Sequence, residues 1–472
     1  MSLITFILFL IFICCFSHNI SINKTIIDEM INEQMKIAKL DTFGLIIIDS
    51  NSTIYKQIYG GRQGIDTNTP FVIGSVTKSF TALAILMLNI SLDDTLDKYD
   101  LGDYLDEQLL KEITVGELLN HTSGLDSFSN KKIIEKGEFS YSNYGYGLLG
   151  KIIEKKSGKS YEEYIKKNIF EPFKMVNSRT SYRSDVIDSY NNFFGFPTKY
   201  TGLESEYKDA KGFYIPAGYI STTIEDIGNY LHFYLSDDFK NKYSKMIEGG
   251  VKFDYNMYYG MGMMIRKKRD QTIYYHNGGT YSFLTQLYVY PDLDLAYFIF
   301  ANTVDMLCLD PTIQLRDNLE NLIIYDIYNN VDGSLFFYFH FTIDCLIIIA
   351  ISLPLSYLII TIIRKIKKKK PSWFVGAKGI IIFTADVLVL MIIPIIMIIV
   401  FFGIQSNLKL IIIHVTDFFF MTLTAILALM VNFLIKLIYF FLYKKFLEGR
   451  EDEIDDKVEM KMQIIDTDNL GE

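Results

Sequence analysis

In the stretch GSVTKSFTALAILML, residues 74–88, Ser75 stands three positions ahead of Lys78 at the head of an apolar run. On a helix, positions i and i+3 share a face, so the Lys78 amine can approach Ser75 Oγ, and burial lowers a lysine pKa enough for it to take the hydroxyl proton. A serine at a helix N-terminus also has backbone N–H groups beside it that can stabilise an oxyanion. The same spacing is that of an ordinary helix cap, and it recurs at Ser21, Ser129, Ser205 and Ser406. What sets Ser75 apart is Gly74 before it and FTALAILML behind it, an apolar run that would bury the lysine stem.

Tyr141 and Asn143, in EFSYSNYGYGLLG ahead of a helical pattern, offer a second pair. A phenol can pass a proton to a leaving group, and an amide two residues on can hold a substrate carbonyl. A loop tyrosine packing its ring on the surface is the plainer reading of the same residues. In HNGG, His276 to Gly279, the glycines Gly278 and Gly279 let a substrate carbonyl approach a strand edge closely, while a lone histidine before a turn is often structural. His121 and Ser123 in HTSGL suggest a conventional triad, but the chain has no G-x-S-x-G elbow, so that segment reads as a structural turn.

These residues need elements to position them. LIIIDSNSTIYKQIYGG (45–61) reads as two strands around an Asn-Ser turn, and 272–303 as three strands with turns at Asn277 to Gly279 and Pro291 to Asp294. Between them, Ser79–Asn89, Tyr146–Lys156 and Tyr161–Phe170 carry helical periodicity. Strands at both ends with helices between predict an α+β domain over 19–330, its antiparallel sheet closed by N- and C-terminal strands around a helical insert.

The chain has 472 residues, 50% of them hydrophobic, and the apolar residues crowd toward the C-terminus. Residues 335–363, 379–404 and 408–434 each exceed the roughly 20 apolar residues that cross a bilayer, so three transmembrane helices are expected there. RKIKKKK (364–370) and Lys444 with Lys445 fall on one side of that arrangement, which the positive-inside rule makes cytoplasmic. Residues 19–330 then face outward, in agreement with the apolar signal peptide or anchor at 1–18, and 444–472 form an acidic cytoplasmic tail. Asp386, His414 and Asp417 lie within or near the spans, where ionisable groups are costly. A net charge of −9 with no basic stripe away from the membrane excludes nucleic acid as a partner. Of the 4 cysteines only Cys308 falls in the soluble region, so no disulfide framework holds it.

Taken in order, these segments resemble the serine β-lactamase and penicillin-binding-protein superfamily, in its class C β-lactamase-related, D-Ala-D-Ala-carboxypeptidase-like and esterase-like branch. ITVGELLNHTSGL (113–125) resembles that branch's Leu-Leu-x-His-Thr-Ser-Gly-Leu signature, YSNYGYGLLGKII its second motif, IPAGYISTTIEDIGNYL (215–231) its Pro-Ala-Gly-Gly segment, and YYGMGMMI (258–265) the strand before its third motif. The likeness covers about residues 25–325. It implies a β-lactamase/transpeptidase-like fold, an antiparallel sheet flanked by helices with an all-helical domain. It implies Ser75 as acylated nucleophile, Lys78 as its deprotonating partner, Tyr141 as proton relay, and Asn143, His276, Gly278 and Gly279 as substrate contacts. The N–H groups of Ser75 and Gly279 would form the oxyanion hole, and no cofactor or metal would be needed.

Two departures bear on the substrate. His276 stands where many β-lactamases carry lysine, which favours peptidase or esterase activity over β-lactam hydrolysis and predicts anion binding that weakens above about pH 6.5. Tyr219 replaces the second glycine of the Pro-Ala-Gly-Gly segment and is expected to narrow the cleft. Two other classes stay open: a receptor acylated at Ser75 without turnover that signals through the membrane, and a membrane unit regulated by the outer domain.

Overall fold

The computed structural model describes residues 23–327, apart from 63, 194–195, 211, 269–270 and 306–309, together with 338 and 341. The expected signal peptide or anchor, the three spans and the acidic tail therefore lie outside the described residues. Among those described, no helix is long and apolar enough to cross a membrane.

Thirteen strands are present among the described residues: β1 (Thr42–Ile48), β2 (Thr53–Gly60), β3 (Phe71–Val72), β4 (Ser189–Phe193), β5 (Phe196–Tyr200), β6 (Ser221–Thr222), β7 (Val251–Asp254), β8 (Met257–Tyr259), β9 (Met264–Lys268), β10 (Gln271–Gly279), β11 (Leu284–Tyr290), β12 (Leu295–Ala301) and β13 (Thr303–Val304). Eight of them form one sheet in the order β2-β1-β12-β11-β10-β9-β8-β7. All its pairings are antiparallel, and the N-terminal β1 pairs with the C-terminal β12, Leu45 opposite Ile299. The predicted closure of the sheet by strands from both ends is thus observed.

β1, TFGLIII, is buried along its whole length because both faces of the sheet are covered. Ile46 and Ile48 point into a core shared with Phe298, Phe300 and the helices Thr77–Met87 and Ile224–Leu235. Phe43, Leu45 and Ile47 point the other way, toward Tyr297, Ile299 and the helices Lys24–Ala38 and Asp310–Tyr325. The period of 2 in side-chain direction makes this one strand a member of two cores. The helical insert is no separate domain: Leu118, Leu149, Ile153 and Ile165 belong to the same apolar cluster as Phe298 of the sheet.

The expected turn at Asn277 to Gly279 is displaced. Those residues continue β10 and pair with Leu284 to Gln286 of β11, and the chain reverses at Thr280–Phe283, where Thr280 N–H donates to Phe283 O at 2.9 Å. Two consecutive glycines suggested a turn, but here they serve close packing within a strand.

Candidate active site

The nucleophile turn begins with Gly74, at φ +52, a conformation glycine adopts without steric cost. A short turn over Gly74–Val76 leads into the Thr77–Met87 helix and leaves Ser75 at its N-terminal end. That helix is buried from Thr77 to Ile85, so its polar side chains must find partners inside the protein. They find them on one neighbouring segment: Thr77 Oγ1 accepts from Ile220 N–H at 3.2 Å, Thr81 Oγ1 donates to Pro216 O at 2.7 Å, and Lys78 Nζ donates to Ala217 O at 2.6 Å.

Lys78 is wholly buried, whereas Ser75 is half-exposed. Its Nζ lies 3.0 Å from Ser75 Oγ and 2.7 Å from Asn143 Oδ1. Burial holds the Lys78 pKa well below the usual lysine range. A neutral amine has two N–H donors and one lone pair. With the donors directed to Asn143 Oδ1 and Ala217 O, the lone pair faces the Ser75 hydroxyl.

Asn143 opens the Asn143–Ser157 helix, capped by Ser142, whose Oγ accepts from Gly145 N–H at 3.0 Å. Its amide nitrogen donates to Ser127 Oγ at 3.1 Å, which fixes the orientation that presents Oδ1 to Lys78. The Tyr141 ring centroid lies 4.8 Å from Lys78 Nζ. Burial raises the Tyr141 pKa, against a hydrogen bond with Ser75 that lowers it, so the group is a neutral phenol.

His276 lies in the wall of the site and is 1% exposed. Both ring nitrogens are engaged: Nε2 with Tyr259 OH at 3.0 Å, Nδ1 with Asn277 O at 2.7 Å. A carbonyl only accepts, so Nδ1 carries the proton and Nε2 accepts from Tyr259. Burial, and then the nearness of the Lys78 amine, lower the His276 pKa to about 3 against the raising effect of the Asn277 carbonyl. The expectation of a titrating histidine whose anion contact fades above about pH 6.5 is corrected by this burial: the ring is neutral across that range.

Gly278 and Gly279 meet the nucleophile turn backbone to backbone. A Cβ on Gly278 would overlap Ile73 O and Thr285 Oγ1, and Thr285 Oγ1 itself donates to Ile73 O at 2.7 Å. A side chain at Gly278 would push β10 off the turn and move the Gly279 N–H away from Ser75. The structure thus brings Ser75, Lys78, Tyr141, Asn143, His276, Gly278 and Gly279 to one place from three separate segments.

Two other residues stand at this place. Ala217 acts through its carbonyl, which no side chain announces. His121, read as part of a structural turn, does sit in one, at φ +62. It also brackets Tyr141: Ser140 N–H donates to His121 O at 2.8 Å, Ser142 N–H to His121 Nδ1 at 3.1 Å, and the His121 ring lies 4.3 Å from the Tyr141 ring. The HTSGL motif was the available signal for it. Among the described residues no group of histidines, cysteines or carboxylates is placed to hold a metal ion.

Comparison with known proteins agrees with this geometry. The structure of the octameric penicillin-binding protein homologue from Pyrococcus abyssi superposes with a TM-score of 0.55 and 25% sequence identity, covering 64% of this chain and 77% of that one. Beta-lactamase-like protein 2 of Dictyostelium discoideum is 29% identical over 255 residues, 45% of this chain and 45% of that protein. Protein flp of Staphylococcus aureus is 25% identical over 260 residues, 48% of this chain and 51% of that protein. The chain spans about half the length of these curated relatives. The family model described as Beta-lactamase matches residues 27–311, most of the chain and every residue of the site, and on that extent of agreement the chain belongs to the beta-lactamase family.

Proposed function

We propose that the protein is a serine hydrolase that acts on amides or esters through an acyl-enzyme at Ser75, in the class C-related, carboxypeptidase-like and esterase-like branch. The observation that carries this reading is the buried Lys78 amine, 3.0 Å from Ser75 Oγ with its other two contacts on acceptors. Ser75 Oγ attacks the carbonyl carbon as its proton passes to Lys78 Nζ. The oxyanion is stabilised by the N–H groups of Ser75 and Gly279. Collapse breaks the bond to the leaving group, which takes a proton from the Lys78 ammonium by way of the Tyr141 hydroxyl. Water then attacks the ester on Ser75 by the same route and restores the serine.

The neutral His276 favours peptidase or esterase substrates over β-lactams, because it supplies no cation for a substrate carboxylate. The same reading holds the domain outside a membrane through the three apolar C-terminal segments, with lipid as their partner.

Intact-mass labelling of the full-length chain with a fluorophosphonate and a fluorescent penicillin, beside Ser75→Ala, tests it. The expected result is a fluorophosphonate adduct that Ser75→Ala abolishes, with weak or no penicillin adduct. No adduct in a folded chain overturns the reading. A penicillin adduct that persists without hydrolysis replaces it with a receptor that is acylated but does not turn over.

A further inference from the structure

Glu206 is 5% exposed, and its carboxyl oxygens have no close hydrogen-bond partner beyond the nearby Tyr200 and Tyr219 hydroxyls, whose pull toward the ionised form burial outweighs. It lies on the Leu203–Ala210 helix, in a segment of the sequence with no readable chemistry. The groups that bear on it are the phenols of Tyr200 and Tyr219, and its own charge bears on Tyr207. Of the described basic residues nearest in sequence, Lys199 pairs with Asp188 at 2.7 Å and Lys208 with Glu204 at 2.6 Å. Among the described residues, Glu206 forms no ion pair. A buried carboxyl without a counter-charge is costly, and burial accordingly raises its pKa to about 8.

Its surroundings connect directly to the nucleophile. Tyr207 OH donates to Tyr219 O at 2.8 Å, and the two rings lie 5.2 Å apart. Tyr219 follows Gly218, where a Cβ would stand 3.7 Å from the Gly74 carbonyl carbon, against the turn that carries Ser75. From the opposite wall comes Tyr281, two residues beyond Gly279, its ring 6.3 Å from that of Tyr200. Tyr200 and Tyr219 therefore meet one carboxyl group, with Tyr281 packed beside Tyr200 and Tyr207 beside Tyr219, on a segment that adjoins the turn carrying Ser75. An acid among aromatic faces binds a cation by charge and by the ring quadrupoles together.

We propose that Glu206, with Tyr200, Tyr219 and Tyr281, forms a recognition pocket for a primary ammonium group on the amide or ester that Ser75 attacks. The proposal rests on the hydrolase reading above and gives its substrate a class. The ammonium supplies the counter-charge that the fold withholds from Glu206. Tyr219, where the family pattern has glycine, is a wall of this pocket rather than only an obstruction of the cleft.

The test uses the full-length chain and two pairs of esters. Glycine and acetate p-nitrophenyl esters place the ammonium in the acyl half; 2-aminoethyl and ethyl acetates place it in the leaving half. Each kcat/KM is divided by the rate of the same ester with hydroxide, and fluorophosphonate labelling of Ser75 is followed separately. The expected result is a preference of at least about 10-fold for the ammonium member of one pair, falling to about 1 in Glu206→Gln, as for loss of a charge-assisted contact. A wild-type ratio near 1 in both pairs overturns the proposal even if Glu206→Gln fails to fold, and so does a preference that survives the substitution. Labelling of Ser75 alongside either result leaves the hydrolase reading standing. Absence of labelling removes both.

Discussion

A Cβ built on Gly74 would stand 2.5 Å from the backbone nitrogen of Gly279. The turn that carries Ser75 and the end of β10 are in contact through their backbones, and the proposed oxyanion donors, the N–H groups of Ser75 and Gly279, depend on that contact. Gly74→Ala forces β10 away and places an alanine at φ +52, a strain of about 1–2 kcal/mol. The expected outcome is a fall of at least about 100-fold in the rate of Ser75 labelling, the scale of losing one oxyanion donor. Thermal melting should fall by more than this strain alone accounts for, because the overlap is with backbone that must shift. A labelling rate unchanged within error would mean that Gly279 N–H is not an oxyanion donor.

Lys78→Met keeps the length of the side chain and removes the amine. It should slow labelling by about 100- to 10,000-fold, the range of a positioned general base. Since the base is the neutral amine, activity is present above the lowered Lys78 pKa and lost as pH falls through it. This acid limb should persist in His276→Asn, because His276, with a pKa of about 3, does not titrate between about pH 5 and 8. Loss of the limb in His276→Asn would assign the titration to the histidine instead.

His276 also makes a stability prediction. Its folded pKa, about 3, is below the ordinary 6.5, so between these values the unfolded chain binds more protons and stability rises with pH. Denaturant melts of wild type and His276→Asn between pH 4 and 7 should differ in slope, wild type losing more stability toward acid. Parallel curves would show that the ring is protonated in the folded state.

Glu206 has the opposite sign. Its carboxyl stays protonated in the fold up to about pH 8 but ionises near 4.5 when unfolded, so the folded state binds the extra proton between those values and stability falls as pH rises. Glu206→Gln should flatten that decline by on the order of 1–4 kcal/mol between pH 5 and 8. Denaturant melts that stay parallel would place a cation beside Glu206 in the folded chain.

Much of this architecture is legible in the sequence because it depends on side-chain type at fixed spacing. The apolar run of β1 and the helix after Ser75 follow from periodicity, and the pairing of β1 with β12 from strands flanking a helical insert. That Ser75, Lys78, Tyr141 and Asn143 belong together was legible because each is a chemical type followed by a recognisable segment. What could not be read depends on the backbone or on burial. The Ala217 carbonyl has no side-chain signature. The strand course of Asn277 to Gly279 is set by close approach to Ile73, which no local propensity encodes. The neutrality of His276 is decided first by its burial among segments distant in sequence, and Glu206 is one of many surface-type carboxylates until the fold buries it.

His121 holds Tyr141 from both sides, through its own carbonyl to Ser140 N–H and through Nδ1 to Ser142 N–H. Since Nδ1 accepts, its proton is on Nε2 and the ring is neutral, in line with the lowering of its pKa by burial first and then by the nearness of Lys78 and His276, whose protonation it disfavours in turn. His121→Ala leaves the buried Ser142 N–H without a partner, at a cost of about 1–3 kcal/mol, and frees the Tyr141 ring. Asparagine tolerates the left-handed backbone at this position and offers a side-chain oxygen near the place of Nδ1. His121→Asn should therefore recover most of the stability lost in His121→Ala. If His121 acts by positioning Tyr141, then Tyr141→Phe, expected to slow acyl transfer by about 100- to 10,000-fold, masks the effect of His121→Ala on rate while leaving its effect on melting. Additive rate losses in the double variant would mean that His121 acts independently of Tyr141.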